Sequence, residues 1–151
     1  MSEPKLAFLD DLLGRELGPS DAVRVTQERI DAFADATLDH QWIHVDRERA
    51  ASGPFGGTVG HGYLTLSLLV HLLTTTGLFP DGVTVINYGI DKVRFPSPLA
   101  SGSTVRLTGR ITELLPKGVD RALAKIACEV TAEGAQTPAL VAEVLYLYVA
   151  D

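Results

Sequence analysis

The first third of the chain repeats apolar residues at intervals of three or four. Residues 6–17 show this helical spacing, and residues 27–38 show it again behind Thr26, a favourable N-cap residue. Asp46 is a second favourable N-cap and predicts a short helix over residues 47–51. Residues 22–25 alternate weakly, which indicates a short strand between the first two helices.

The pattern then becomes almost continuously apolar before it changes period. Residues 63–76 are apolar nearly all round, which predicts one buried helix that Gly77 ends. Four alternating segments with Gly- or Pro-bearing turns follow and predict long strands in an antiparallel meander; they cover residues 83–95, 103–115, 122–132 and 138–149. The predicted fold is α+β, with an antiparallel sheet wrapped around a long buried central helix.

Length and composition narrow the classes of function. A length of 151 residues predicts a single domain, residues 1–151, and the composition is that of an ordinary globular protein, with 46% hydrophobic and 21% charged residues. The net charge of −6 and the lack of Lys/Arg clusters argue against nucleic-acid binding. Cys128 is the single cysteine, which excludes an intramolecular disulfide and a multi-cysteine zinc site, and its apolar neighbours predict an inert core thiol.

Hydropathy gives no reason to expect a membrane protein. Residues 1–5 are polar and lack a signal-peptide core, and the apolar run over residues 63–73 is interrupted by His71 and too short to span a bilayer. We therefore expect a cytoplasmic protein with no membrane partner.

Asp39 and His44 are the candidate acid–base residues. They lie five positions apart across a break in helical periodicity, and such a break allows both side chains to turn toward one point. A carboxylate beside an imidazole can move protons at neutral pH. The same two residues also fit a helix-capping aspartate and a satisfied histidine, so residue types alone leave both interpretations open.

Other kinds of site fit the sequence less well. His40, His44 and His61 with Asp39 and Asp46 could be taken as a metal cluster, but their spacing is not that of a zinc hydrolase helix, and we predict no metal. Because the chain has no nucleophile elbow, P-loop or dinucleotide fingerprint, we also predict no cofactor.

Three motifs in order resemble the MaoC-like dehydratases, also called (R)-specific enoyl-CoA hydratases, of the hotdog fold. Residues 39–46 read DHQWIHVD, residues 60–64 read GHGYL, and residues 91–98 read DKVRFPSP before SGS at 101–103. The resemblance spans the chain from about Val23 to its end. The family pattern is not matched in three places: Gln41-Trp42 replaces Asn-Pro, Gly60 replaces Ala, and Val70 stands where some members have a serine.

The resemblance implies (R)-specific hydration of trans-2-enoyl thioesters, either of CoA or of acyl-carrier protein. Asp39 and His44 would hold one water and supply both base and acid, and Gln41 would take over the orienting role of the usual Asn. Delivery of OH and H from one face would give syn addition. The order of proton transfers, the acyl chain length and the pathway remain open.

The start of the apolar helix is a candidate oxyanion hole. Gly62 has no side chain, and the first N–H groups of a helix are unpaired at the positive end of its dipole. The alternative is that Gly60 and Gly62 are small only because the helix packs closely on the sheet. His61 is expected to fasten the loop by hydrogen bonds.

Further candidates would contact the substrate or a second copy of the chain. Tyr63, Leu66, Ile86 and Tyr88 could line an acyl tunnel, although core packing explains the same residues. Lys92 and Arg94 could meet CoA phosphates, or could be ordinary exposed strand charges. An open sheet edge favours a homodimer.

Two other functions remain as alternatives. A hotdog thioesterase would hydrolyse the same thioester, and a non-catalytic partner subunit would only bind it. The His-Gly-helix arrangement favours the dehydratase over the thioesterase, and the complete set of Asp39, His44 and Gly62 argues against the non-catalytic subunit.

Overall fold

A computed structural model describes residues 5–151. Within these residues, six helices and six strands follow in the order α1 Phe8–Leu12, β1 Glu16–Leu17, β2 Val23–Arg24, α2 Gln27–Thr37, α3 Trp42–Val45, α4 Arg47–Ala51, α5 Gly62–Ser67, α6 Leu69–Thr74, β3 Val83–Arg94, β4 Thr104–Pro116, β5 Arg121–Ala132 and β6 Leu140–Ala150. The predicted α+β class is confirmed, and the four long strands lie within two residues of their predicted bounds.

The strands form one antiparallel sheet in the order β1-β4-β5-β6-β3, with β2 also paired to β4. Strands β4 to β6 are the predicted meander, but the prediction is wrong for β3, which pairs with β6. The connection after β3 explains the difference. Ala100 bridges to Val59, and the Ser103 carbonyl accepts from the Val25 N–H at 2.8 Å, so β4 begins beside β2 at the opposite edge.

The first predicted helix is shorter than its apolar spacing suggested. Helix α1 ends at Leu12, and Gly14 adopts a positive φ of 76° while its N–H donates to the Ile111 carbonyl at 3.0 Å. This hydrogen bond directs the chain into β1 alongside β4. Pairing with the sheet therefore replaces the last turn of the predicted helix.

The prediction of one continuous buried helix over residues 63–76 is also wrong. The segment is divided at Leu68 into α5 and α6. One face, with Leu64, Leu69 and Leu72, is buried, whereas Tyr63 and Val70 on the other side are 68% and 41% exposed. This helical segment has apolar residues on all of its faces, but the sheet of a single chain covers only one of them.

The core lies between this helical layer and the inner face of the sheet. Val105, Leu107 and Ile111 of β4 are fully buried, as their alternation predicts. Cys128 is a buried free thiol, as predicted, and burial raises its pKa to about 12. No helix of residues 5–151 is long and apolar enough to span a membrane.

Candidate active site

The end of α2 places Asp39 at a break in the helical path. Thr26 caps the helix, as predicted, by accepting from the Arg29 N–H at 3.2 Å. Leu38 ends it in the left-handed region, with φ 63° and ψ 22°. This conformation turns the chain sharply, so Asp39 lies outside the helix with its side chain 54% exposed.

The chain regains one helical turn in α3, which carries His44. The sequence predicted the break but not this turn. Asp46 then caps α4, as predicted, through a bond from the Arg49 N–H at 3.0 Å. Because α3 lies between the break and this cap, the His44 side chain is directed inward and is buried.

Backbone contacts fix the orientation of the His44 ring. Its Nδ1 lies 2.7 Å from the Val59 carbonyl oxygen, which can only accept, so Nδ1 carries the proton and donates. In the neutral ring, Nε2 then has a free lone pair. The Val59 N–H also donates to the Ile43 carbonyl at 3.0 Å, which joins the two segments twice. A main-chain carbonyl thus orients the imidazole, and Val70 at the family's serine position is not needed for that.

His61 fastens the break to the start of α5, as expected from the sequence. Its Nε2 donates to the Asp39 main-chain carbonyl at 3.0 Å. Its ring stacks on that of His44 with 3.8 Å between centroids, and Phe33 packs against it at 4.9 Å. His61 therefore supports both candidate acid–base residues.

The two histidines and Asp39 bring their polar atoms close together. One ligand-capable atom from each lies within 4.8 Å of the others. The two rings are nearly parallel, with 23° between their planes, so their in-plane lone pairs do not converge on one ion. A water between Asp39 and His44 suits these distances better, because one water can bridge two groups that are too far apart for a direct bond.

Gly62 begins α5 at the same site. Among residues 5–151 its N–H has no hydrogen-bond partner. A Cβ on Gly62 would lie 3.0 Å from the Phe95 ring, whereas one on Gly60 would meet only ordinary contacts from 3.7 Å outward. Gly62 therefore has both features: the Phe95 ring leaves no room for a side chain, and the N–H is available to a ligand. At Gly60, alanine, the common family residue, would fit.

A cavity of about 400 Å³ joins these groups; it is lined by Phe33, Thr37, Asp39, His44, His61, Gly62, Tyr63 and Phe95. Phe33, Thr37 and Phe95 were not predicted as site residues. Phe33 and Thr37 are one helical turn apart on α2, and the apolar spacing of residues 27–38 predicts only a helix there. Phe95 belongs to the third motif of the family resemblance, which was the available signal, and its position opposite Gly62 depends on contacts between distant segments.

Other predicted substrate residues lie elsewhere. The Gln41 side chain is exposed, makes no hydrogen bond to the described residues and does not line this cavity. Tyr88 lines a second cavity of about 410 Å³ between α5–α6 and β3, together with Leu66 and Val70. Ile86 lies opposite Leu147, which alternates with inward residues, so Ile86 faces away from the helices and does not support the predicted tunnel.

Lys92 and Arg94 are exposed on β3 and line neither cavity. Lys92 lies opposite Glu143, and the Arg94 guanidinium donates to the Val93 carbonyl at 2.7 Å. Their contact with CoA phosphates stays a prediction.

Comparison with known proteins identifies the family and the fold. A family profile described as MaoC like domain matches residues 9–136. The chain is 47% identical over 145 residues to 3-hydroxyacyl-thioester dehydratase Z of Mycobacterium tuberculosis, covering 96% of both chains, and 43% identical to nodulation protein N of Rhizobium leguminosarum bv. viciae, covering 94% of this chain and 89% of that one. The crystal structure of a MaoC-like dehydratase from Rhodospirillum rubrum superposes with a TM-score of 0.77 at 25% identity, covering 95% and 97% of the two chains. The antiparallel sheet with its helical layer is thus a hotdog fold, and the chain belongs to the MaoC-like domain family.

Proposed function

We propose that the protein is a hydro-lyase that adds water to trans-2-enoyl thioesters and removes it from 3-hydroxyacyl thioesters. The observation that carries the proposal is the convergence of Asp39, His44 and Gly62 on one cavity. The name of the mycobacterial relative, a 3-hydroxyacyl-thioester dehydratase at 47% identity, supports the same reaction class.

Hydration begins with one water held between Asp39 and His44. The Nε2 lone pair of His44 and the Asp39 carboxylate can both accept from this water. One of them takes a proton as the oxygen attacks the β-carbon, and the proton given to the α-carbon comes from the same pair. Addition of OH and H from one face makes the reaction syn, and we propose the (R)-hydroxy product.

The Gly62 N–H is the proposed donor to the thioester oxygen. That oxygen gains negative charge as the enolate forms, and removal of a donor of this kind typically costs about 2.7–4 kcal/mol of barrier. A side chain at residue 62 would meet the Phe95 ring, so glycine leaves the space through which the thioester reaches this N–H. The aromatic wall of Phe95 and Tyr63, with ring centroids 6.1 Å apart, would pack against the bound enoyl group.

The acyl tail is proposed to continue into the second cavity beside Leu66 and Tyr88. In the described part of the chain, strand β3 has one edge without a strand partner along its twelve residues, and Tyr88 and Ile90 on it are 60% and 47% exposed. Edge-to-edge pairing of two chains would cover this strand, and we propose a homodimer. The cytoplasmic compartment remains part of the same proposal.

The test is to mix the protein with crotonyl-CoA and follow the enone absorbance together with free thiol. Loss of enone absorbance without thiol release, with (R)-3-hydroxybutyryl-CoA as product, is the expected result. Thiol release would indicate a thioesterase instead, and tight binding without either change would indicate a non-catalytic binding subunit. Either of these two results overturns the proposal.

A further inference from the structure

Gln27 is a buried polar side chain in the first turn of α2, and its hydrogen bonds reach the segments that carry the site. Its Nε2 donates to the His44 main-chain carbonyl at 2.7 Å and to the Asp31 carboxylate at 2.8 Å. Its Oε1 accepts from the hydroxyl of Thr58, also buried, at 2.6 Å. The amide therefore uses both ends, as a buried polar group requires.

The chemistry of these partners permits one orientation of the amide. A flipped Gln27 would place Oε1 against the His44 carbonyl and the Asp31 carboxylate, which are both acceptors. A glutamate at this position would meet the same two acceptors with a negative charge. Only a carboxamide satisfies all three partners.

These bonds complete a closed ring of contacts around His44. Thr58 immediately precedes Val59, whose carbonyl accepts from His44 Nδ1 and whose N–H donates to Ile43. Gln27 joins the main chain of His44 to Thr58 from the other side. The ring fixes the separation between α3 and the segment that leads into α5.

We propose that Gln27 is a positioning residue for the hydration reaction. It holds the His44 main chain against residues 58–59. The Val59 carbonyl then keeps the proton on His44 Nδ1, and Nε2 stays free toward Asp39. The inference rests on the proposed function. Gln27 does not line the catalytic cavity, so it acts through His44 rather than on the substrate.

The experiment compares Gln27→Met, Gln27→Glu and Thr58→Val with two controls. Thr58→Ser keeps the hydroxyl, and Glu28→Gln changes the exposed neighbour of Gln27. With crotonyl-CoA, we expect kcat to fall about tenfold or more in the first three variants with KM within about threefold, because small misplacement of a catalytic group costs rate. Both controls should stay within about twofold of wild type in kcat, because they preserve every bond of the ring.

A second readout is the 15N spectrum of His44 in the ligand-free protein. Wild type and the controls should show a single neutral tautomer protonated on Nδ1, and the three variants a mixture of tautomers. A lowered Tm with kcat and tautomer unchanged, measured well below that Tm, would show a merely structural role and overturn the inference. If Gln27→Met does not fold, Thr58→Val tests the same hydrogen bond from its other end and decides whether the inference holds.

If wild type does not hydrate crotonyl-CoA, the proposed function fails. The 15N spectrum then still decides whether Gln27 sets the His44 tautomer.

Discussion

Replacing Gly62 by alanine tests whether the start of α5 takes part in the reaction. The added Cβ would lie 3.0 Å from Cδ1 and Cε1 of Phe95 and 3.1 Å from Cδ2, closer than ordinary carbon–carbon contact. The ring must move by roughly 0.5 Å to reach the usual 3.5–4.0 Å separation. Phe95 is 39% exposed, so it can move without unfolding the chain. The methyl group and the displaced ring then occupy the approach to the Gly62 N–H.

The expected loss of kcat in Gly62→Ala follows from obstruction of the Gly62 N–H as a hydrogen-bond donor. Complete loss of an oxyanion donor costs about 2.7–4 kcal/mol, or about 10²–10³ in kcat, and a thioester oxygen held away from Gly62 N approaches that limit. Gly60→Ala is the matched control, because its Cβ would lie 3.7 Å or more from Val25, Leu99 and Ile30. We expect that variant to keep kcat within about threefold, because its added Cβ would make only ordinary van der Waals contacts.

The assay is the initial rate of crotonyl-CoA hydration by both variants, with thermal unfolding of each as a control for folding. A Gly62→Ala enzyme with kcat within threefold of wild type would show that this N–H is not a catalytic donor. An equal loss in Gly60→Ala would attribute the effect to loss of backbone freedom around His61. Both results contradict the oxyanion assignment.

Three further predictions concern stability and assembly. Leu38→Gly should raise the free energy of unfolding by about 0.5–1 kcal/mol in urea titration, because Leu38 holds a positive φ with an 83% exposed side chain; an unchanged or lower midpoint would contradict this. Burial raises the pKa of Cys128 and of Tyr146 to about 12, so the unfolded chain loses these protons at lower pH than the folded chain. The free energy of unfolding in urea should therefore be constant below about pH 9 and fall toward pH 12, by up to about 1.4 kcal/mol per pH unit for each group. A free energy of unfolding that does not change with pH over this range would refute that linkage. Cys128→Ala should remove the first part of the decrease, just above pH 9. Tyr88→Lys with Ile90→Lys should change the sedimenting mass from twice the 16.2 kDa of the chain to a single copy, because charge opposes pairing of the β3 edges; an unchanged dimer would place the interface elsewhere.

Local signals in the sequence predicted the elements that depend on nearby residues. Thr26 and Asp46 are capping residues whose effect lies within three positions, and both caps are present. The alternation in β4 is equally local, and its inward residues are buried. The break before Asp39 was visible because the helical apolar spacing stops there.

The remaining errors concern interactions between distant segments. The partner of β3 depends on where the connection to β4 is held, and that depends on Val59 and Val25, which are far away in sequence. The end of α1 depends on a hydrogen bond from Gly14 to Ile111. Periodicity carries no information about such bonds, and it also cannot show that a main-chain carbonyl orients His44.

The most direct test of the account is the turnover number for crotonyl-CoA hydration by Asp39→Asn, compared with wild type. The substitution preserves shape at a half-exposed side chain, so the fold and KM should change little. We expect kcat to fall by about 10²–10⁴, the usual contribution of a general acid or base. A variant that retains most of the wild-type kcat would show that the Asp39 carboxylate does not move protons in this reaction, and would contradict the acid–base pair on which the proposed function depends.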